Sequence, residues 1–124
     1  ADLIQLVSPM TPPERAIGIL KASSGFVYCI SVAGTTGVRD DLPPELTEQL
    51  NWLRTQTELP LAVGFGIKGP DQVDILRDAA DGVIVGSAIV RLMEGLGTSA
   101  EDDATVLAEI GKFAESMVHA TRKK

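Results

Sequence analysis

Short apolar runs alternate along the chain with longer segments in which apolar residues recur every three to four positions. The runs occupy residues 3–7, 26–30, 61–65 and 83–85, and Ser, Pro or Gly residues bound most of them. Such runs are typical of buried strands, and the segments between them are typical of amphipathic helices. The pattern therefore predicts four strands, each followed by at least one helix.

Five helices are predicted. The first follows Thr11-Pro12-Pro13-Glu14 and extends to about residue 22, with Thr11 as N-cap and Glu14 completing a capping box. The second runs from about residue 42 to 55, the third begins near residue 70, a short one begins at Ser87, and the last spans about residues 102–119. Their predicted core positions are Leu46, Leu50, Leu53, Val73, Leu76, Ala80, Val106, Leu107, Ile110, Phe113 and Met117.

Strand and helix alternation predicts a parallel sheet with right-handed crossovers. A doubly wound sheet would carry a G-x-G-x-x-G motif after its first strand, and none is present. A β/α barrel holds phosphate at its last two loops and a short extra helix. Gly66 and Gly86 follow the third and fourth strands, and a short helix begins at Ser87. The sequence therefore predicts half of an eight-fold α/β barrel, a single domain over residues 1–124.

A half barrel has open edges at its first and fourth strands and an apolar inner face exposed to water. Isolated, it is expected to dimerise or aggregate. The chain opens directly in a strand without an initiating Met, so we expect it to be the remainder of something longer.

The composition of the chain limits which binding partners and which cellular compartment are expected. A formal charge of -6 argues against nucleic acid, which requires clustered Lys and Arg. The single cysteine, Cys29, lies in an apolar run, which excludes an internal disulfide framework and fits the cytoplasm. No run is long enough for a membrane span, and no signal-peptide pattern is present.

Ionisable side chains are missing from the predicted strand ends, where a barrel places its chemistry. Asp81 precedes its strand and is expected on the opposite, structural face. Asp40 and Asp41 follow the second strand and either cap a helix or face solvent, or else swing over a pocket. His119 is near a frayed terminus, and no cluster of His, Cys and carboxylate predicts a metal site.

Anion binding is the chemistry that remains. Gly66 and the Gly86-Ser87 pair each precede a predicted helix. The N-terminal amides of a helix attract anions, and glycine lets a ligand come close to them. The small-residue loop at 33–37 is either a connector or a lid. Tyr28 and Phe65 are either ordinary core residues or walls of an apolar pocket.

Three segments together resemble the tryptophan synthase α chain family. They are YCISVAGTTGVR at 28–39, LPLAVGFGI at 59–67 and ADGVIVGSAIV at 80–90. The resemblance extends over nearly the whole chain and implies the C-terminal half of a (β/α)8 TIM barrel, strands five to eight. It implies retro-aldol cleavage of indole-3-glycerol phosphate into indole and glyceraldehyde 3-phosphate, in tryptophan biosynthesis.

The resemblance also implies roles for individual residues. It assigns the phosphate to Gly37, Gly66, Gly86 and Ser87, the pocket wall to Phe65 and Tyr28, and loop closure to Thr36. Thr35 stands where many members have valine, a small departure. The catalytic Glu and Asp of the family belong to units that precede this segment, so these residues alone are expected to be inactive.

The implied partners are the missing N-terminal half of the barrel, a small phosphorylated substrate and a tryptophan synthase β subunit. Pyridoxal phosphate is expected only in that β subunit, so this chain is expected to hold no cofactor. Two alternatives stay open: a phosphate-binding half barrel from another sugar-phosphate enzyme, or a self-associating scaffold without catalysis. The loop at 33–37 favours the α chain.

Overall fold

The computed structural model describes residues 1–31, 42, 44–64 and 66–122. Strands and helices alternate in this part of the chain as the sequence predicts. The elements are β1 (Gln5–Val7), α1 (Pro13–Ala22), β2 (Val27–Ile30), α2 (Pro44–Gln56), β3 (Leu61–Gly64), α3 (Pro70–Leu76), β4 (Gly82–Val83), α4 (Ser87–Met93) and α5 (Ala100–Thr121).

The four strands form one parallel sheet in the order β1-β2-β3-β4. Val7 pairs with Cys29, Cys29 with Val63, and Val63 with Val83. Each strand thus pairs with the next one in sequence, and helices make the crossovers. Because the order never reverses, the sheet lacks the switch point that a doubly wound fold uses for ligands.

Helices cover one face of this sheet. Val7, Cys29 and Val63, which share a row across the strands, are completely buried on that face. Leu46, Leu50 and Leu53 of α2 are also completely buried in the same apolar cluster, as predicted. A spacing of three to four residues places the three leucines on one side of the helix.

The other face of the sheet carries no helix among the described residues. Leu6, Tyr28, Ala62 and Gly82 share the alternate row; Leu6 is 53% exposed, and the other three are partly exposed. A doubly wound sheet would cover both faces with helices, whereas a barrel turns one face toward its interior. This one-sided covering agrees with the predicted half barrel.

The start of α1 differs from the prediction. Its N-cap is Pro12, and no side chain caps it. Thr11 Oγ1 instead accepts a hydrogen bond from the Ser8 amide at 3.0 Å. The capping-box prediction was therefore wrong, because the threonine closes the turn that follows β1.

The last helix also differs in which residues it buries. Leu107 was predicted to face the core, but it is 60% exposed, and only Met117 and Ala120 of this helix are buried. The C-terminal end is fixed by Arg77, whose guanidinium donates to the Ala120 carbonyl at 3.2 Å and to Asp74 at 2.6 Å. The fully buried residues of α5 thus lie in its last turns. Across the described residues, no helix has an apolar stretch long enough to cross a membrane.

One residue beyond α3 departs from the sequence prediction, and one residue of β2 agrees with it. Ala80 was predicted in the buried stripe of α3 but lies beyond the end of that helix at Leu76. Cys29 is completely buried, and this burial raises the pKa of its thiol to about 12. The thiol therefore stays protonated at neutral pH, which agrees with its predicted role as an inert core residue.

Candidate active site

The predicted glycine turns follow neighbouring strands at the same edge of the sheet. Val63 of β3 pairs with Val83 of β4, and the Ile84 amide donates to the Val63 carbonyl at 2.7 Å. Gly66 and Gly86 each come three residues after this pair. The two turns therefore leave the carboxyl ends of adjacent parallel strands, the end at which a β/α barrel binds its ligand.

The turn after β3 is anchored on both sides of its backbone. Gly66 has φ +82°, a left-handed conformation that strains any residue with a Cβ. Ile67 is 2% exposed, and the Gln72 side-chain oxygen accepts a hydrogen bond from the Lys68 amide at 2.6 Å. Ile67 and the Lys68 amide thus tie this turn to the core and to α3.

The turn after β4 leads directly into α4. Gly86 is the N-cap of this helix, and no side chain caps it. The Ile89 and Val90 amides both donate to the Gly86 carbonyl at 3.0 Å, so the helical bonding begins after Ser87 and Ala88. The amides of a first helical turn have no intrahelical acceptor. Gly86 and Ser87 are exposed, which lets a ligand reach this corner.

Tyr28 packs directly over the backbone of β3 on the open face of the sheet. A Cβ added to Gly64 would lie 2.2 Å from the Tyr28 Oη and 2.5 Å from its Cζ. Only glycine leaves room for the Tyr28 side chain in this position. The sequence analysis gave Gly64 no role, although a glycine inside a strand indicates close approach by another group.

We expect Gly64→Ala to displace the Tyr28 ring without unfolding the chain. The tyrosine is half-buried and its tip can move, so the overpacking cost should be near the lower end of the usual range, about 1 kcal/mol. Chemical denaturation measures this cost, and Tyr28→Ala in the same chain should remove most of it. Gly82→Ala is the matched control, since it shares the face but meets nothing within 4 Å. An equal loss in both variants would contradict the prediction.

Residues at the opposite end of the sheet stabilise the fold. Asp81 precedes β4, and its carboxylate accepts a hydrogen bond from the Leu61 amide at 2.8 Å and pairs with Arg54. A cavity of about 40 Å³ lies beside it, between α3, the start of β4 and Thr121. That volume suits a few water molecules at most, so it is not a substrate pocket. His119 is exposed near the end of α5.

Several predicted functional residues lie outside the described part of the chain. They are Phe65, Thr36 and Gly37, together with Asp40, Asp41 and the rest of the loop at 33–37. Of the described residues that the sequence places just beyond the strands, Ser8, Ser31, Gly66 and Gly86 carry no ionisable side chain. The described residues also contain no group of three or more His, Cys, Asp or Glu that could hold a metal ion.

Two relatives of similar sequence carry the same protein name. Tryptophan synthase alpha chains of Rhodopirellula baltica and Geobacillus thermodenitrificans are 45% and 43% identical to this chain. The matches cover 96% and 98% of this chain but only 45% and 46% of the relatives. The chain thus spans a little under half the length of the curated relatives it matches.

Solved structures agree with the sequence matches. A mutant tryptophan synthase alpha-subunit from Pyrococcus furiosus superposes with a TM-score of 0.74 at 31% identity, over 95% of this chain and 45% of that one. Tryptophan synthase from M. tuberculosis in its aminoacrylate-bound form gives 0.74 at 26% identity, over 98% and 40%. The four strands and five helices therefore form a partial barrel.

The family model described as tryptophan synthase alpha chain matches residues 1–122, nearly the whole sequence. Both glycine turns and the Tyr28–Gly64 contact lie inside the matched range. The chain belongs to the tryptophan synthase alpha chain family.

Proposed function

We propose that this chain supplies the phosphate-binding half of an enzyme of tryptophan biosynthesis. The complete barrel cleaves indole-3-glycerol phosphate by a retro-aldol reaction, releasing indole and glyceraldehyde 3-phosphate. The observation that carries the proposal is a family match over residues 1–122 that contains both glycine turns at one edge of the sheet.

Backbone amides hold the substrate phosphate in this proposal. The turn at Gly66 and the first amides of α4, at Ser87 and Ala88, follow the adjacent strands β3 and β4, which supports this proposal. Helix N-termini favour anions through the peptide dipoles and the unpaired N–H groups. Gly37 contributes from the loop after β2, and Thr36 closes that loop over the bound substrate.

The indole portion of the substrate lies toward the open face of the sheet. Tyr28 is partly exposed there and packs against Gly64, so it offers an aromatic wall. Phe65 lies between Gly64 and the Gly66 turn in sequence and forms a second wall. Aromatic walls with a few directed amides suit a ligand that is apolar at one end and anionic at the other.

In this proposal, the groups that transfer protons lie outside this chain. Retro-aldol cleavage needs a general base and a general acid within hydrogen-bond reach of the substrate. Ser8, Ser31, Gly66 and Gly86, which follow the four strands, offer neither group, and Asp81 lies at the far end of the sheet. We therefore propose that the catalytic Glu and Asp belong to the preceding half of the barrel, and that this chain alone has negligible turnover.

The product indole passes to a partner in this proposal. The partner is a tryptophan synthase β subunit, which carries pyridoxal phosphate, while the α chain works without a cofactor. If the complete barrel binds such a subunit, adding it should raise the rate of indole release in a coupled assay. An unchanged rate, with no complex on a sizing column, would remove the partner from the proposal.

Complementation tests the activity. The 124-residue chain is mixed with the N-terminal portion of the Rhodopirellula baltica relative, and indole release from indole-3-glycerol phosphate is measured. We expect activity from the mixture and none from either part. Appreciable turnover by this chain alone, or none from a mixture that forms a stable complex, would overturn the proposal.

Ser87→Asp tests the phosphate corner within that mixture. A carboxylate at the first residue of α4 should repel the substrate phosphate and raise KM about tenfold, equivalent to about 1.4 kcal/mol. Ala100→Asp is the matched control, because Ala100 is also the exposed first residue of a helix. Equal KM values for the two variants would contradict the assignment of the phosphate to this corner.

A further inference from the structure

A buried glutamine lies beside the turn that follows β3. Gln72 belongs to the first turn of α3 and is only 8% exposed. Among the described residues, Ser31 is the other buried residue with a polar side chain. Burying a polar side chain is unfavourable unless it forms hydrogen bonds. The burial of Gln72 therefore indicates a role that an apolar residue could not fill.

The side chain of Gln72 connects α3 to the turn. Its Oε1 accepts a hydrogen bond from the Lys68 amide at 2.6 Å. The residues between them cannot supply this bond, because the N-cap Gly69 has no side chain and Pro70 has no N–H. Gln72 is the third residue of the helix, a position whose side chain can reach back over the helix start. It thus secures the junction between the turn and α3.

Both partners of this bond belong to a segment that is attached to the core. Val73 and Leu76 of α3 are each 1% exposed, and Ile67 in the turn is 2% exposed. The turn is thus attached by the Ile67 side chain and by the Lys68 amide, directly after Gly66 at φ +82°. Because successive peptide planes are joined by only two soft torsions per residue, releasing one amide also changes the direction of its neighbours.

We propose that Gln72 is a positioning residue for the substrate phosphate. The inference rests on the function proposed above, because it takes the turn at Gly66 as part of the phosphate site. Gln72 itself does not touch the substrate, and it holds the amides of the turn in the direction that phosphate binding requires. A binding segment that is already ordered loses less conformational entropy when its ligand binds. Without the bond to Lys68, the affinity for phosphate should fall.

Gln72→Met tests the inference, since methionine is similar in length but offers only a weakly accepting sulfur. The variant chain is mixed with the N-terminal portion of the Rhodopirellula baltica relative, and kcat and KM for indole-3-glycerol phosphate are measured, with the Kd of inorganic phosphate. KM and this Kd should both rise about threefold to tenfold, the effect of one lost hydrogen bond. The phosphate is not part of the bond that breaks, so kcat should stay unchanged. A residue needed only for stability would lower the active fraction and leave KM as it was.

Gln49→Met is the matched control. Gln49 is a partly buried glutamine of α2, and its Nε2 donates to the Ser8 carbonyl after β1. The substitution removes a bond between a glutamine side chain and the backbone of a different turn, so KM and the Kd of phosphate should not change. If circular dichroism shows that Gln72→Met does not fold, Gln72→Asn carries the test, because its shorter side chain withdraws the acceptor from the Lys68 amide.

The results separate the role of Gln72 from the proposed function. If the unmodified mixture releases no indole, the proposed function fails, and the role of Gln72 fails with it. If the unmodified mixture releases indole and the Gln72 variant keeps the same KM, the proposed function stands and only the role of Gln72 is overturned. An equal rise in KM for the Gln72 and Gln49 variants would overturn it as well.

Discussion

Replacing Leu50 by alanine is expected to destabilise the fold by about 2–5 kcal/mol, the usual cost of removing a leucine from a packed core. Leu50 is completely buried in the central turn of α2, within the same apolar cluster as Leu46 and Leu53. Domains of this size are typically stable by only about 5–15 kcal/mol. The variant should therefore unfold at a much lower urea concentration, as followed by circular dichroism.

Leu107→Ala provides the comparison for this measurement. Both substitutions remove the same atoms from a helix and share the same gain in helix propensity. Leu107 is 60% exposed, so its loss should change stability by no more than about 0.5 kcal/mol. Similar losses for the two variants would show that α5 packs against the core through Leu107, contrary to the structure.

Asp81→Ala is the second change with a large expected effect. Asp81 and Leu61 are bonded reciprocally: the Asp81 amide donates to the Leu61 carbonyl at 2.8 Å, and the Leu61 amide donates to the Asp81 carboxylate at 2.8 Å. Removing the carboxylate leaves the partly buried Leu61 amide without this acceptor, which should cost about 1–3 kcal/mol. Chemical denaturation measures the loss.

Two further variants separate the contributions at this end of the sheet. The Arg54–Asp81 ion pair has side chains that are 41% and 47% exposed, so Arg54→Ala should cost less than about 1 kcal/mol. Asp78→Ala, which removes an exposed carboxylate three residues earlier, should be almost neutral. If Arg54→Ala is as damaging as Asp81→Ala, the ion pair and not the Leu61 amide accounts for the stability.

The candidate site shows which features a one-dimensional pattern can reveal. Gly66 and Gly86 could be predicted because each stands between an apolar run and a helical segment, so strand order alone places both at one edge. Gly64 could not, because the reason for this glycine is a tyrosine 36 positions earlier in sequence that crosses it from β2. Contacts between residues so far apart in sequence depend on the register of the paired strands, and the sequence of one segment does not specify that register.

The wrong predictions about the helices have a similar physical origin. Thr11 fits a capping box, but its hydroxyl accepts a hydrogen bond from the Ser8 amide, a local bond that competes with capping of the helix. Leu107 fits the helical period of α5, yet its side chain is exposed, and the buried residues of this helix are Met117 and Ala120. A period identifies an apolar stripe, and only packing decides how much of the stripe is covered.

By itself the sequence determined the alternation of strands and helices, the core leucines of α2 and the positions of the two glycine turns. These features follow from local periodicity and from the backbone freedom of glycine, which are properties of short segments. Only the tertiary structure decided that helices cover one face of the sheet, that Asp81 secures Leu61 and that Tyr28 lies on Gly64. Those outcomes depend on which strands pair and in what register, because side chains far apart in sequence meet only after the sheet has formed.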